Sequence, residues 1–161
     1  MEDGEARAVS PDGSQIAFVR GAELPQSVWV MDVDGSHARK LFGQAGDLFG
    51  TVAWSPDNHK LAFVRYRPGL VPTKTELGTY DFATGATNSI LFDPGLHASV
   101  AWMRDNRLIY SLQESGPNSA EANLWAIPVD PRTGAVRGPA QRLTDSHDGK
   151  FLSAFRRVAK R

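Results

Sequence analysis

Apolar and polar positions alternate in short runs along this chain, and no stretch sustains the 3.6-residue period of an amphipathic helix. Three of these runs, Gln15-Ile16-Ala17-Phe18-Val19-Arg20, Lys60-Leu61-Ala62-Phe63-Val64-Arg65 and Arg107-Leu108-Ile109-Tyr110-Ser111-Leu112, are rich in branched and aromatic residues and read as strands. Each follows a recurring segment: Ala8-Val9-Ser10-Pro11-Asp12-Gly13, Ala53-Trp54-Ser55-Pro56-Asp57-Asn58 and, more weakly, Ala101-Trp102-Met103-Arg104-Asp105-Asn106. From Ala8 to Ala53 is 45 positions, and from Ala53 to Ala101 is 48. A third strand is predicted in each unit at Ser27–Asp32, Glu76–Asp81 and Asn123–Pro128. A shorter fourth follows around Arg39–Phe42, Asn88–Leu91 and Gln141–Leu143.

The turn residues agree with these boundaries. Pro-Asp-Gly and Pro-Asp-Asn join first to second strands, where Pro presets φ and Gly or Asn tolerates the left-handed region. Asp34-Gly35 and Thr84-Gly85 join third to fourth strands, and Thr133-Gly134 opens a longer, insertion-like version from Asp130 to Pro139. Four antiparallel strands at this period are the mark of propeller blades. The expectation is an all-β chain, a partial β-propeller of about three four-stranded antiparallel blades. It forms one segment over residues 1–161, with repeats near 6–49, 50–97 and 98–150 and an extra first-type strand near 151–155.

At these residues the chain resembles the TolB-like propeller repeats, which also occur in the propeller domains of prolyl-oligopeptidase-type peptidases. The shared pattern is Ala-x-Ser-Pro-Asp-Gly, a strand ending Ala-Phe-Val, a strand like Val-Trp-Val-Met-Asp, then Asp-Gly. Residues 8–42 follow it almost completely, and residues 53–91 follow it well except at Leu77-Gly78-Thr79-Tyr80. Residues 101–143 have lost the Ser-Pro pair. The resemblance implies rings of six or more blades. Three blades do not close a ring, so the chain is expected to be part of a longer protein or half of a ring completed head to tail by a second copy. Two open faces, each on the order of 500 Å² of apolar surface, would supply about 12 kcal/mol apiece before association costs.

Composition narrows the chemistry. The charge balance, 18 Lys and Arg against 18 Asp and Glu, gives no electrostatic claim on nucleic acid or an anionic membrane. With no cysteine there is no disulfide, thiolate site or thiol catalysis. No apolar run is long enough to insert in a membrane. The acidic start Met1-Glu2-Asp3-Gly4-Glu5 is not a signal peptide, so the compartment is left open; the resemblance implies the bacterial envelope or periplasm.

A serine hydrolase needs a Gly-x-Ser-x-Gly elbow, which the sequence lacks. The histidines, His37, His59, His97 and His147, fall in predicted turns or loops and are too dispersed for a metal pair. Asp32-Val33-Asp34-Gly35 invites a calcium reading, but Ser36-His37-Ala38 does not continue the ligand pattern, and an Asx-type turn explains the residues better. Asp12, Asp57 and Asp105 recur once per repeat and read as acceptors of turn N–H groups. Trp29, Trp54, Trp102 and Trp125 read as packing between blades, and the basic end Arg156-Arg157, Lys160-Arg161 as a solvated terminus. No catalytic residue, metal or cofactor is expected.

Geometry then separates two faces of the disc. First-to-second and third-to-fourth turns share one face and are short in two of the three units. The second-to-third loops (21–26, 68–73, 113–122) and the loops between blades (43–49, 92–97, 146–150) share the other face and vary, and variable loops on a rigid scaffold carry function. The candidate binding face is this second one, with Asp47, His97, His147 and Asp148 near its centre. The expected function is a non-enzymatic interaction module with a protein partner. The resemblance offers as alternative a substrate-gating propeller segment of a peptidase whose catalytic domain lies elsewhere. A truncated product with no function of its own is the third reading.

Overall fold

The computed structural model describes residues 4–21, 25–68, 74–114 and 122–145. These form β1 (Gly4–Val9), β2 (Gln15–Arg20), β3 (Ser27–Asp32), β4 (Arg39–Phe42), β5 (Leu48–Trp54), β6 (Lys60–Arg67), β7 (Lys74–Asp81), β8 (Thr87–Phe92), β9 (Leu96–Trp102), β10 (Arg107–Gln113), β11 (Ala122–Pro128) and β12 (Gln141–Arg142). There is no helix among the described residues. The strands pair in sequence order into three four-stranded antiparallel sheets. Strand β5 lies between β1 and β9, so the first strands are innermost and the sheets fan out as blades. The chain is therefore an all-β partial propeller of three blades. The expected strand near 151–155 lies outside the described residues.

The turns show why the repeat has its residues. In the first blade Asp12 Oδ1 accepts from Ser10 Oγ at 2.6 Å and from the Ser14 amide at 3.0 Å, while Ser10 Oγ accepts from the Gln15 amide at 2.9 Å. In the second, Asp57 Oδ1 accepts from Ser55 Oγ at 2.6 Å and the His59 amide at 3.1 Å, and Ser55 Oγ accepts from Lys60 N at 2.8 Å. The serine thus holds both the aspartate and the incoming strand. Where Ser-Pro is replaced by Met103-Arg104, Asp105 instead takes the Arg107 amide at 3.2 Å and its guanidinium at 2.8 Å. Gly13, Asn58 and Asn106 occupy the same left-handed position, with φ of 77°, 65° and 62°.

Two seams form the core. Ala17, Val19, Val28 and Val30 of the first blade meet Phe49, Val52, Trp54, Leu61, Phe63 and Tyr80 of the second. The other face of the second blade, with Ala62, Val64 and Leu77, meets Leu96, Val100, Leu108, Tyr110 and Ile127 of the third. At both seams the second and third strands of the earlier blade show small and branched side chains to bulkier ones of the later blade, the sizes interdigitate, and Phe42 of β4 closes the outer part of the first seam. Gly78 is part of this fit. A Cβ there would stand 2.5 Å from the Phe63 ring, which lies over the cross-strand glycine and fills the space of the missing side chain. Burying Phe63 completely contributes about 3 kcal/mol.

The outer faces are less bare than three isolated blades suggest. Phe18 and Met31 on the first blade, and Ile109 and Ala126 on the third, are buried, while Val9 and Leu143 are exposed. Part of the cause is local: the Trp29 ring lies 6.4 Å from that of Phe18, and the Arg20 guanidinium sits 5.1 Å over Trp29.

The stretch from Asp130 to Pro139 is not a loose insertion. Asp130 Oδ1 accepts from the amides of Arg132 at 2.7 Å and Thr133 at 3.1 Å, the same turn that Asp81 makes with Ala83 and Thr84 at 2.8 and 3.0 Å. The turn starts two residues later, because Pro128 occupies the paired position that Asp81 holds in the second blade. The hairpin is lengthened by a Val129–Val136 bridge and leans back on the second blade. There Thr79 Oγ1 donates to the Gly134 carbonyl at 3.0 Å, and Asn88 Nδ2 donates to that of Thr133 at 2.8 Å.

Candidate functional site

The face built from second-to-third loops and interblade loops is organised around the seam of the first two blades. Strand β6 runs toward it and ends in Arg65-Tyr66-Arg67, and the loop before β5 carries Asp47. Asp47 is wholly buried, at 0% exposure. Its Oδ1 accepts from Arg67 Nε at 2.8 Å, and its Oδ2 accepts from the Gln44 amide at 3.1 Å and lies 3.6 Å from Arg65 Nη1. Arg65 also pairs with Glu76 across β6 and β7, with Nε 3.0 Å from Oε2. The Gln26 amide donates to the Asp47 carbonyl at 2.8 Å, and Gln26 Oε1 accepts from the Phe49 amide at 2.8 Å. A buried carboxylate survives only with such partners, so the network fixes the loop and the two guanidinium groups together.

Asp47 is thus a foundation under the face, and the group displayed above it is the half-exposed Arg67. His97, expected in a loop, lies inside β9 and is half-buried. The loop before it closes early, where the Leu96 amide donates to the Asp93 carbonyl at 3.1 Å, and the strand starts at once. Likewise β5 begins at Leu48, which moves Phe49 from loop to strand. His147 and Asp148 lie outside the described residues, as do parts of all three second-to-third loops. The arginines and Glu76 were not singled out from sequence. The available signal was the Arg65-Tyr66-Arg67 alternation, which puts both cations on one side of a strand end.

On the opposite face, Lys60 Nζ lies 2.6 Å from Asp81 Oδ2, and this contact holds the Asp81 carboxyl below the usual carboxylate range. The Asp32–Asp34 segment is a hydrogen-bonded turn: Asp34 Oδ1 accepts from the Ser36 amide at 2.9 Å and hydroxyl at 2.6 Å, and His37 Nδ1 lies 2.7 Å from Asp32 Oδ2. Among the described residues no group of three or more His, Asp or Glu side chains could hold a metal ion. None of the described helices, there being none, is long and apolar enough to cross a membrane.

No family model matches the chain, and no curated protein matches it. Solved structures do. The chain is similar to TolB from Acinetobacter baumannii, with a TM-score of 0.68 and 20% identity over 88% of this chain and 32% of that one. It is similar to the acylaminoacyl peptidase of Pyrococcus horikoshii, at 0.67 and 16% over 90% of this chain and 25% of that one. It is similar also to the β-propeller domain of the Trilobed protease from Pyrococcus furiosus, at 0.62 and 16% over 88% and 43%. The chain spans between a quarter and under half of the length of these neighbours. At these identities the likeness fixes architecture alone: three blades of the propeller fold found in TolB and in peptidases of the prolyl-oligopeptidase type.

Proposed function

We propose that this segment is a non-enzymatic interaction module that docks a protein partner on the face carrying the interblade loops, around Asp47, His97, His147 and Asp148. The observation that carries the reading is the buried Asp47 network, which anchors a loop and a strand end of that face to two blades at once. Investing a desolvated carboxylate in the base of a loop makes a rigid platform for recognition. Photo-crosslinkers placed at Gln44 and Gln113 on this face, and at Asp12 and Asp34 on the other, test it in cells expressing the protein. Protein adducts concentrated at Gln44 and Gln113 are expected. Adducts only at Asp12 and Asp34, or hydrolysis of peptide or ester substrates by the pure chain that a single serine substitution abolishes, would overturn the reading.

A second reading, a substrate-gating propeller segment of a peptidase, is favoured by the peptidases among the similar structures. A Gly-x-Ser-x-Gly domain in the same gene would decide for it. The graded seams also support head-to-tail pairing of two copies into a six-bladed ring. The exposed Val9 of one copy and Leu143 of the other would then be covered. Light scattering that finds a stable 17.6 kDa monomer at high concentration would exclude that assembly.

A further inference from the structure

Beyond Arg67 the same strand ends carry two more groups, which make no ion pair or ring contact among the described residues. Lys74 is the cross-strand neighbour of Arg67, so two cations stand directly opposite each other on one face of the sheet. Like charges in that position destabilise a sheet. Asp47 answers the Arg67 charge from below, yet among the described residues Lys74 has no ion-pair partner and is exposed. Two positions along β7, Glu76 is paired with Phe92 at the end of β8. Glu76 is committed to Arg65, and the Phe92 ring is 60% exposed. Its neighbour Leu91, which pairs with Leu77 as Phe42 pairs with Val28 in the first blade, is instead turned into the second seam.

We propose that Arg67, Lys74 and Phe92 form a docking point at the rim of the second blade for an acidic peptide segment that carries an apolar side chain. The proposal rests on the same face as the interaction reading and specifies the chemistry of its partner. Asp47 fixes Arg67 through Nε and leaves the two Nη groups to meet a second carboxylate end on, with two parallel N–H···O bonds. Lys74 supplies a second positive charge that steers an acidic segment toward the strand ends. The Phe92 ring offers the apolar anchor that charges alone lack.

The probe is the blocked peptide Glu-Glu-Leu-Glu-Glu, titrated into the full chain by calorimetry at low and high salt. Binding that weakens with salt is expected, with Lys74→Gln costing about fivefold in affinity and Phe92→Ser about tenfold. Both positions are exposed, so both variants fold, whereas Arg67→Gln strands a buried carboxylate and serves only as a supporting test. Arg39→Gln with Lys40→Gln, exposed cations elsewhere on the first blade, is expected to leave binding unchanged. Absence of binding, or equal loss in the control, overturns the proposal. Crosslinks to a partner at Gln44 and Gln113, together with no peptide binding, would retain the docking face and reject its acidic partner.

Discussion

The indole Nε1 of Trp54 donates to the carbonyl of Ala8 at 3.2 Å, tying the innermost strand of the second blade to that of the first. The same ring is stacked on Phe82 at 5.1 Å and 8°. Trp102 occupies the matching place in the next seam, but its Nε1 is buried with no hydrogen-bond partner. Trp54→Ala should therefore cost about 3–5 kcal/mol. Trp54→Phe should cost about 1 kcal/mol more than Trp102→Phe, since only the former breaks a bond and the latter removes an unsatisfied donor. Urea unfolding of the four variants checks this, and equal losses for the two Phe variants would contradict it.

Removing the buried carboxylate under the docking face should be expensive. Asp47→Ala leaves Arg65 and Arg67 without their shared anion and is expected to cost about 3 kcal/mol, at the low end for a buried pair because Arg67 reaches water. The same change in an Arg67→Met background should cost less. Additive losses in the double-mutant cycle would mean that the contact has no energetic weight.

Stability should fall in acid. The Ser10 hydroxyl beside Asp12, the Lys60 ammonium beside Asp81 and the Arg132 amide beside Asp130 each hold a carboxyl below its ordinary value. A depressed folded pKa gives stability that is present above the unfolded value near 3.9 and is lost as pH falls through the folded one. Through these carboxylates thermal melts should accordingly drop below about pH 4. Ser10→Ala should raise the Asp12 titration midpoint, read by carboxyl NMR.

His37 behaves in the opposite sense. Its hydrogen bond with Asp32 raises its pKa, so the contact is complete below about 6.5 and is lost as pH rises through the raised value. Asp32→Asn should return the imidazole titration toward 6.5. An unchanged midpoint would show that the pair is not formed in solution.

Gly134 and Gly85 both have left-handed φ, at 71° and 69°, but only Gly134 meets another blade. A Cβ at Gly134 would stand 2.7 Å from Thr79 Oγ1, while at Gly85 the nearest atom, Tyr80 Oη, is 3.9 Å away. Gly85→Ala should cost about 1 kcal/mol for backbone strain alone, and Gly134→Ala clearly more. Equal costs in urea unfolding would mean that the long hairpin does not press on the second blade.

Local chemistry was legible in the sequence because its partners are close neighbours. The Asp12, Asp57 and Asp105 turns, the left-handed Asn58 and Asn106, and the boundaries of β2, β3 and β4 all follow from residues within a few positions of one another. The role of the turn serines needed only one further step, from a recurring Ser to its recurring Asp. What escaped were relationships across long separations. Gly78 looked like a weakened strand until Phe63 was found lying over it. Asp47 looked like a surface acid because nothing nearby in sequence announces Arg65 and Arg67, and the Asp130 hairpin looked like slack because its partners are Thr79 and Asn88.

The graded seams give the array a polarity, like bricks with a stud on one side and a socket on the other. A blade cannot be turned over in such a row, yet any blade can follow any other whose socket matches its stud. Duplication in steps of one repeat therefore keeps each stud facing a socket, whereas a cut elsewhere in the repeat divides a stud from its own socket. The natural unit of change in this chain is the seam-to-seam interval, and new recognition surfaces can arise by shuffling whole intervals while the packing code stays constant.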